Sequence, residues 1–94
     1  MQGYVYILKF DKDGRFYIGS TNNLGRRLKQ HRQGAVPSTK YQGSFRLAFS
    51  QKVQSLKIAR SAERKIKSWK RKDFIEKIIV DGKIAFLDKH DEHP

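Results

Sequence analysis

The sequence predicts an α/β (α+β) layered fold, a three-stranded antiparallel sheet flanked by about three helices. Two observations carry this. Runs rich in aromatic and β-branched residues stand on both sides of an Asp-Gly turn near the N-terminus and again at 45–53, and the segments between and after them space their apolar residues three and four apart. With 94 residues the chain is expected to form one domain, 1–87, with a small core and a disordered tail at 88–94.

Tyr4 to Phe10 is apolar on both faces, which suits a central strand. Asp11-Lys12-Asp13-Gly14 supplies a turn, and Arg15 to Gly19 forms the return strand of a hairpin. An even number of loop residues would put Tyr6 and Tyr17 on one face, and an odd number would separate them. Ser20-Thr21-Asn22 offers N-cap oxygens for a helix from about Asn22 to Gln33 that stops at Gly34. On a helix advancing 100° per residue, Leu24, Leu28 and His31 fall within about 60° of one another, Arg27 lies about 40° from His31, and Arg26 turns to solvent.

Residues 35–44 read as a loop whose Ser38-Thr39-Lys40-Tyr41 stretch faces substrate, and Phe45 to Val53 as a third strand. Ser55 starts a helix with Leu56, Ala59, Ala62, Ile66 and Trp69 on its apolar side and a wide basic face. Lys72 to Val80 is a third helix ended by Asp81-Gly82, and Lys83 to Leu87 a short strand or extended tail.

The charge is 21 Lys and Arg against 9 Asp and Glu, and it is uneven. Residues 1–71 carry 17 basic and 3 acidic side chains, a net of +14, whereas residues 72–94 carry 4 and 6, a net of −2. The basic part points to a polyanionic partner, bound through salt-sensitive and sequence-independent attraction to phosphates. A merely solubilising basic surface is the plainer alternative. The absence of cysteine excludes disulfides and a Cys-based zinc site. No run approaches the ~18 apolar residues of a membrane span, so a soluble, cytoplasmic protein is expected.

Tyr4-Val5-Tyr6 and Tyr17-Ile18-Gly19, joined by a Lys/Asp/Gly turn and followed by a helix bearing Arg27 and His31, resemble the GIY-YIG nuclease domain. The likeness runs from about Tyr4 to about Trp69 and is closest to the small single-domain, UPF0213-like branch of that family. The first tripeptide matches at Tyr6, the second in full. Nothing after Trp69 matches an Asn that some members use. By the resemblance Tyr6, Tyr17, Arg27, His31 and Glu63 are the catalytic set, and Glu63 is the metal ligand.

Glu63 is the sole carboxylate between Asp13 and Asp73 and lies among Arg60, Arg64, Lys65 and Lys67. A helical ion pair with Lys67 would account for it structurally, at ~0.3–0.5 kcal/mol. As a hard oxygen ligand it would suit one Mg²⁺ (or Mn²⁺), which takes few carboxylates and completes its shell with water and substrate phosphate. The resemblance gives Arg27 the charge on the scissile phosphate, has Tyr6 activate or position the attacking water with its pKa lowered by Arg27 and the metal, and sets Tyr17 beside it with His31. Gly19 is either a point of close phosphate approach or a strand terminator. His90 and His93 read as part of a solvated tail rather than as a metal site.

The expected nucleic-acid contacts are Gly19, Lys40, Tyr41, Arg46, Arg60, Arg64 and Lys67, with Lys29, Arg32, Lys70 and Arg71 as further phosphate candidates. No base-reading motif is visible, so any sequence preference would come from DNA shape or a partner protein. The expectation is therefore a monomeric, metal-dependent DNA endonuclease, structure-selective or weakly sequence-specific, with a role in DNA repair or recombination. The alternatives are a nucleic-acid-binding module of the same fold with weak or no cleavage, and an RNA-associated basic protein.

Overall fold

Six elements appear in a computed structural model that describes residues 2–87. Strand β1 (Gly3–Phe10) lies at the centre of the sheet, with β2 (Phe16–Thr21) antiparallel on one side and β3 (Phe45–Val53) antiparallel on the other. A central strand must be apolar on both faces, and Val5, Tyr6, Ile7 and Leu8 are all fully buried. The expected tail 88–94, with His90 and His93, lies outside the described residues.

The hairpin keeps Tyr6 and Tyr17 together. Phe10 donates to the Arg15 carbonyl at 2.9 Å, which leaves Asp11 to Gly14 as an even-numbered loop. In the resulting register Tyr6 stands opposite Gly19 and Leu8 opposite Tyr17, so both phenols project from the same face. Strand β2 runs two residues beyond the expected end, because Ser20 and Thr21 pair with Val5 and Tyr4. The ladder takes the residues expected to cap the next helix, and Asn23 caps α1 (Leu24–Arg32) instead, accepting from the Arg26 N–H at 3.0 Å.

Strand β3 is not a plain alternation. Its pairing with β1 shifts between Ile7 and Leu8, where Ile7 faces Phe49 but Leu8 faces Leu47. The shift re-phases the side chains: Phe49 joins the core beneath α2 (Leu56–Trp69), while Phe45 packs with Tyr6, Leu8 and Leu28 beneath α1. Two cores result, one on each face of the sheet. The larger takes Ala59, Ala62 and Ile66 of α2 together with Ile78 of α3 (Lys72–Asp81) and Ile84. Residues 85–87 are helical, not extended as expected, and Phe86 sets its ring edge to face against Trp69 with centroids 5.9 Å apart.

Gly19 sits under the Tyr6 ring within β2, so it is no strand terminator. A Cβ built there would come within 2.4 Å of the Tyr6 Cζ and hydroxyl. The close approach expected of a phosphate at Gly19 is made by this ring, which has no room to retreat. Gly19→Ala should therefore destabilise the fold by about 1–3 kcal/mol, read as a lower midpoint in urea unfolding.

Candidate active site

The site begins in the α1-side core. The Tyr6 hydroxyl and His31 Nε2 are 2.8 Å apart, and His31 Nδ1 lies 2.8 Å from the Thr39 hydroxyl, which reaches the Val36 carbonyl at 3.4 Å. A single orientation satisfies the chain: Tyr6 donates to Nε2, Nδ1–H donates to Thr39, and Thr39 donates to Val36. His31 is 4 % exposed, with its ring edge to face against Tyr6, Tyr17 and Phe45. Burial, aided by the Arg27 charge, pushes its pKa down to about 4, so the imidazole is neutral at physiological pH.

Tyr6 itself is 0 % exposed. Burial pushes its phenol up to about 12 despite the lowering influence of Arg27. Arg27 alone therefore does not acidify Tyr6 as expected: desolvation outweighs the guanidinium, and the phenol is sealed from solvent. Half-buried Tyr17, with its ring centroid 6.3 Å from that of Tyr6, is the phenol with accessible surface. Arg27 meets both phenols, and hydrogen bonding, chiefly with Tyr6, raises its pKa above the ordinary arginine value. Its Nη1 donates to Gln30 at 3.2 Å, while its buried Nε has no hydrogen-bond partner. Such an orphaned donor is costly and is characteristic of sites that await an acceptor.

Glu63 arrives from the other face of the sheet. Ser20, which alternation turns away from Gly19 and toward α2, donates its hydroxyl to Glu63 Oε1. Lys67, one turn along, holds Oε2 at 2.6 Å. The same ammonium lies 5.6 Å from the centre of the Tyr17 ring, and the Glu63 charge is felt at Tyr6. Because β2 is an edge strand, groups from both faces meet around it. Beside them opens a polar cleft of about 380 Å³ between α1 and α2, bordered by Ser20, Asn22, Arg26, Arg27, Gln30 and Arg60.

The five side chains of the expected catalytic set are therefore drawn together, and of the expected nucleic-acid contacts Arg60 borders the cleft and Lys67 caps Glu63. The others are spread. Arg64 is exposed one turn beyond Arg60, and Arg46 pairs with Lys9 on the α2-side face of the sheet. Tyr41 is 83 % exposed beside the Lys40 ammonium, on the loop outside the cleft lining. Thr39, expected to face substrate, turns inward to His31, whereas Arg26 is exposed as expected and also borders the cleft. Ser20 and Gln30 were not singled out by sequence. Ser20 carried a usable signal, its place directly after Tyr17-Ile18-Gly19 on the alternate face of the strand, but Gln30 carried none.

Residues 2–78 match the GIY-YIG catalytic domain family. The chain belongs to the GIY-YIG family. It is 37 % identical over 76 residues to a UPF0213 protein of Clostridium perfringens, covering 80 % of this chain and 81 % of the relative. A UPF0213 protein of Halalkalibacterium halodurans is 37 % identical over 83 residues, 87 % of each chain. The solution NMR structure of this same relative, under the name Bacillus halodurans, superposes with a TM-score of 0.55 at 34 % identity, covering 87 % of both chains. This GIY-YIG domain is thus of nuclease type and has the architecture of the small UPF0213 proteins.

Among the described residues no three His, Cys, Asp or Glu side chains cluster as a ready-made metal cage. His31 has both ring nitrogens engaged, so Glu63 is the carboxylate that the GIY-YIG site offers a cation. One carboxylate fits Mg²⁺ or Mn²⁺ shared with a substrate phosphate better than it fits a metal held by protein alone.

The buried neutral imidazole has a stability consequence. The unfolded His31 takes up a proton near its ordinary 6.5, whereas the folded one resists down to about 4. Its contribution is therefore complete above pH 6.5 and lost as pH falls from 6.5 toward 4, on the order of 3 kcal/mol. Urea unfolding across that range should show the decline, and His31→Gln, which cannot titrate, should flatten it.

Proposed function

We propose that this GIY-YIG protein is a metal-dependent DNA endonuclease, hydrolysing phosphodiesters with structure selectivity or weak sequence preference, acting as a cytoplasmic monomer in DNA repair or recombination. The observation that supports this most is the meeting, around β2, of an arginine fork and two phenols from one face of the sheet with a solitary carboxylate from the other. Phosphodiester hydrolysis needs charge neutralised on the phosphoryl oxygens and a positioned water. Arg27 presents a planar set of donors to the phosphate, with Arg26 and Arg60 as flanking charge. Tyr17, the accessible phenol, orients the water. Tyr6, His31 and Thr39 form the buried brace that fixes Arg27 and Tyr17, with Tyr6 keeping its proton at neutral pH.

Glu63, released from Lys67 and still anchored by Ser20, would hold Mg²⁺ or Mn²⁺. That ion would supply electrophilic stabilisation of the phosphate and a more acidic water. Three arginines along a polar cleft contact phosphates rather than bases, which agrees with weak sequence preference or with specificity lent by a partner protein. Among the described residues no helix is long and apolar enough to cross a membrane.

The Lys67 ammonium on Glu63 also favours a second reading, a nucleic-acid-binding module in which the carboxylate stays closed and cleavage is weak or absent. Incubation with Mg²⁺ and a panel of linear, nicked, flapped and branched DNAs, beside matched RNAs, separates the two. Glu63→Gln and Arg27→Ala should each lower cleavage by about 10²–10³-fold, while Glu63→Gln keeps DNA retention within a few-fold. Cleavage by Glu63→Gln at the rate of the unaltered protein would remove the enzymatic reading, and so would the absence of any Mg²⁺-dependent product. Stronger retention of RNA at matched salt would favour the RNA-associated alternative.

A further inference from the structure

A second cavity, of about 310 Å³, lies where the start of β2 meets the junction of α2 and α3, with Phe16 and the isoleucines 18, 66 and 75 against Arg15, Lys70 and Lys72. Its volume is at the lower end of ligand-pocket sizes, about 300–1,000 Å³. The charge there is mostly basic. The ammonium groups of Lys9 and Lys72 stand 5.8 and 5.6 Å from the centre of the Phe16 ring, and both side chains flank Gly14. Arg71 is engaged by Asp73 and Lys67 by Glu63, and the Asp13 carboxylate accepts from the Arg15 backbone N–H, but the side chains of Lys9, Arg15, Lys70 and Lys72 form no ion pair among the described residues. Cationic side chains converging in excess of their anions repel one another, an arrangement that a bound polyanion relieves.

Lys70 adds an independent observation. It is the C-cap of α2 and the one non-glycine among the described residues with positive φ, at 52°. Glycine is favoured at this position, since a Cβ is strained in left-handed backbone. Lys70 thus carries strain that a glycine would not, and it sets its side chain at the groove. The cavity also adjoins the candidate active site, because Lys67 lines it and reaches Glu63 and Tyr17.

Resting on the nuclease reading above, we propose that this groove is a subsite for an unpaired nucleotide of the substrate strand next to the scissile phosphate. The base packs on Phe16, and Arg15, Lys70 and Lys72 hold its phosphates. An aromatic platform inside a basic track is how single strands are gripped without sequence preference, whereas a paired base keeps its faces within the duplex stack. The groove thereby selects DNA with a single-stranded segment beside the cut.

The test uses the full chain, fluorescently labelled oligothymidine and a blunt duplex, with anisotropy read across a salt series. Lys70→Gly should raise the thermal midpoint, by relieving the left-handed strain, and yet weaken oligothymidine binding several-fold. Loss of affinity in a more stable protein excludes misfolding as its cause. Phe16→Leu should cost roughly ten-fold on oligothymidine and little on duplex. Lys70→Gly combined with Lys72→Ala should make the salt slope shallower by about 1.4. Equal losses on both DNAs, or an equal loss in Lys52→Ala/Lys57→Ala on other surfaces, would overturn the subsite. Unchanged oligothymidine binding in all three groove variants would do the same. If these variants behave as expected but the unaltered protein cuts no DNA, the groove stands and the nuclease reading falls.

Discussion

The contact of the Tyr6 ring with the bare Cα of Gly19 is the constraint on which the site depends. It lets a large polar aromatic lie flat within the sheet, beneath α1, where its hydroxyl can meet a histidine rather than water. A buried phenol without a partner would be costly, so the ring requires His31; the imidazole in turn requires a partner for its second nitrogen, and Thr39 supplies it from the loop after α1. Each requirement passes to the next residue. The outcome is a satisfied polar line running from the central strand through a helix to a loop, and Arg27 is held against its near end.

Edge position matters as much as this line. A catalytic group on the α2 face of a central strand would be separated from Tyr17 by the full sheet, but β2 has no neighbour on its outer side. Ser20 and Tyr17, pointing to opposite faces, are both within reach of groups that wrap the edge, and the Glu63–Lys67 pair does so from α2. The two cores therefore have different duties. The larger, aliphatic one holds α2 and α3 in place and carries Glu63, while the smaller one, rich in aromatics, builds the environment of His31.

Electrostatically residues 1–71 are predominantly basic, and Glu63 is the carboxylate that they bring to the candidate site. The ion pair of Glu63 and Lys67 is partly exposed, with 22 % and 49 % of the side chains accessible, so its net contribution to stability is small. Its effect is local: together with the Ser20 hydroxyl it orients the carboxylate beside the cleft. Arginine donors stand at the cleft and lysines around Phe16, and Lys67 of the groove reaches Glu63.

The amino-acid order alone determined the hairpin, the three strands and three helices, because strand and helix periods and the Asp-Gly turn are local signals, whereas the grouping of Tyr6, Tyr17, Arg27, His31 and Glu63 was implied by the resemblance to the GIY-YIG domain. It also carried the charge asymmetry. Tertiary structure decided what these residues can do: that Tyr6 is the sealed phenol and Tyr17 the open one, that Ser20 and Thr39 are partners, that β3 slips its register to serve both cores, and that residues 85–87 coil against Trp69. Those outcomes depend on desolvation and on distances between segments remote in sequence, and neither is encoded in the spacing of residues within any one element.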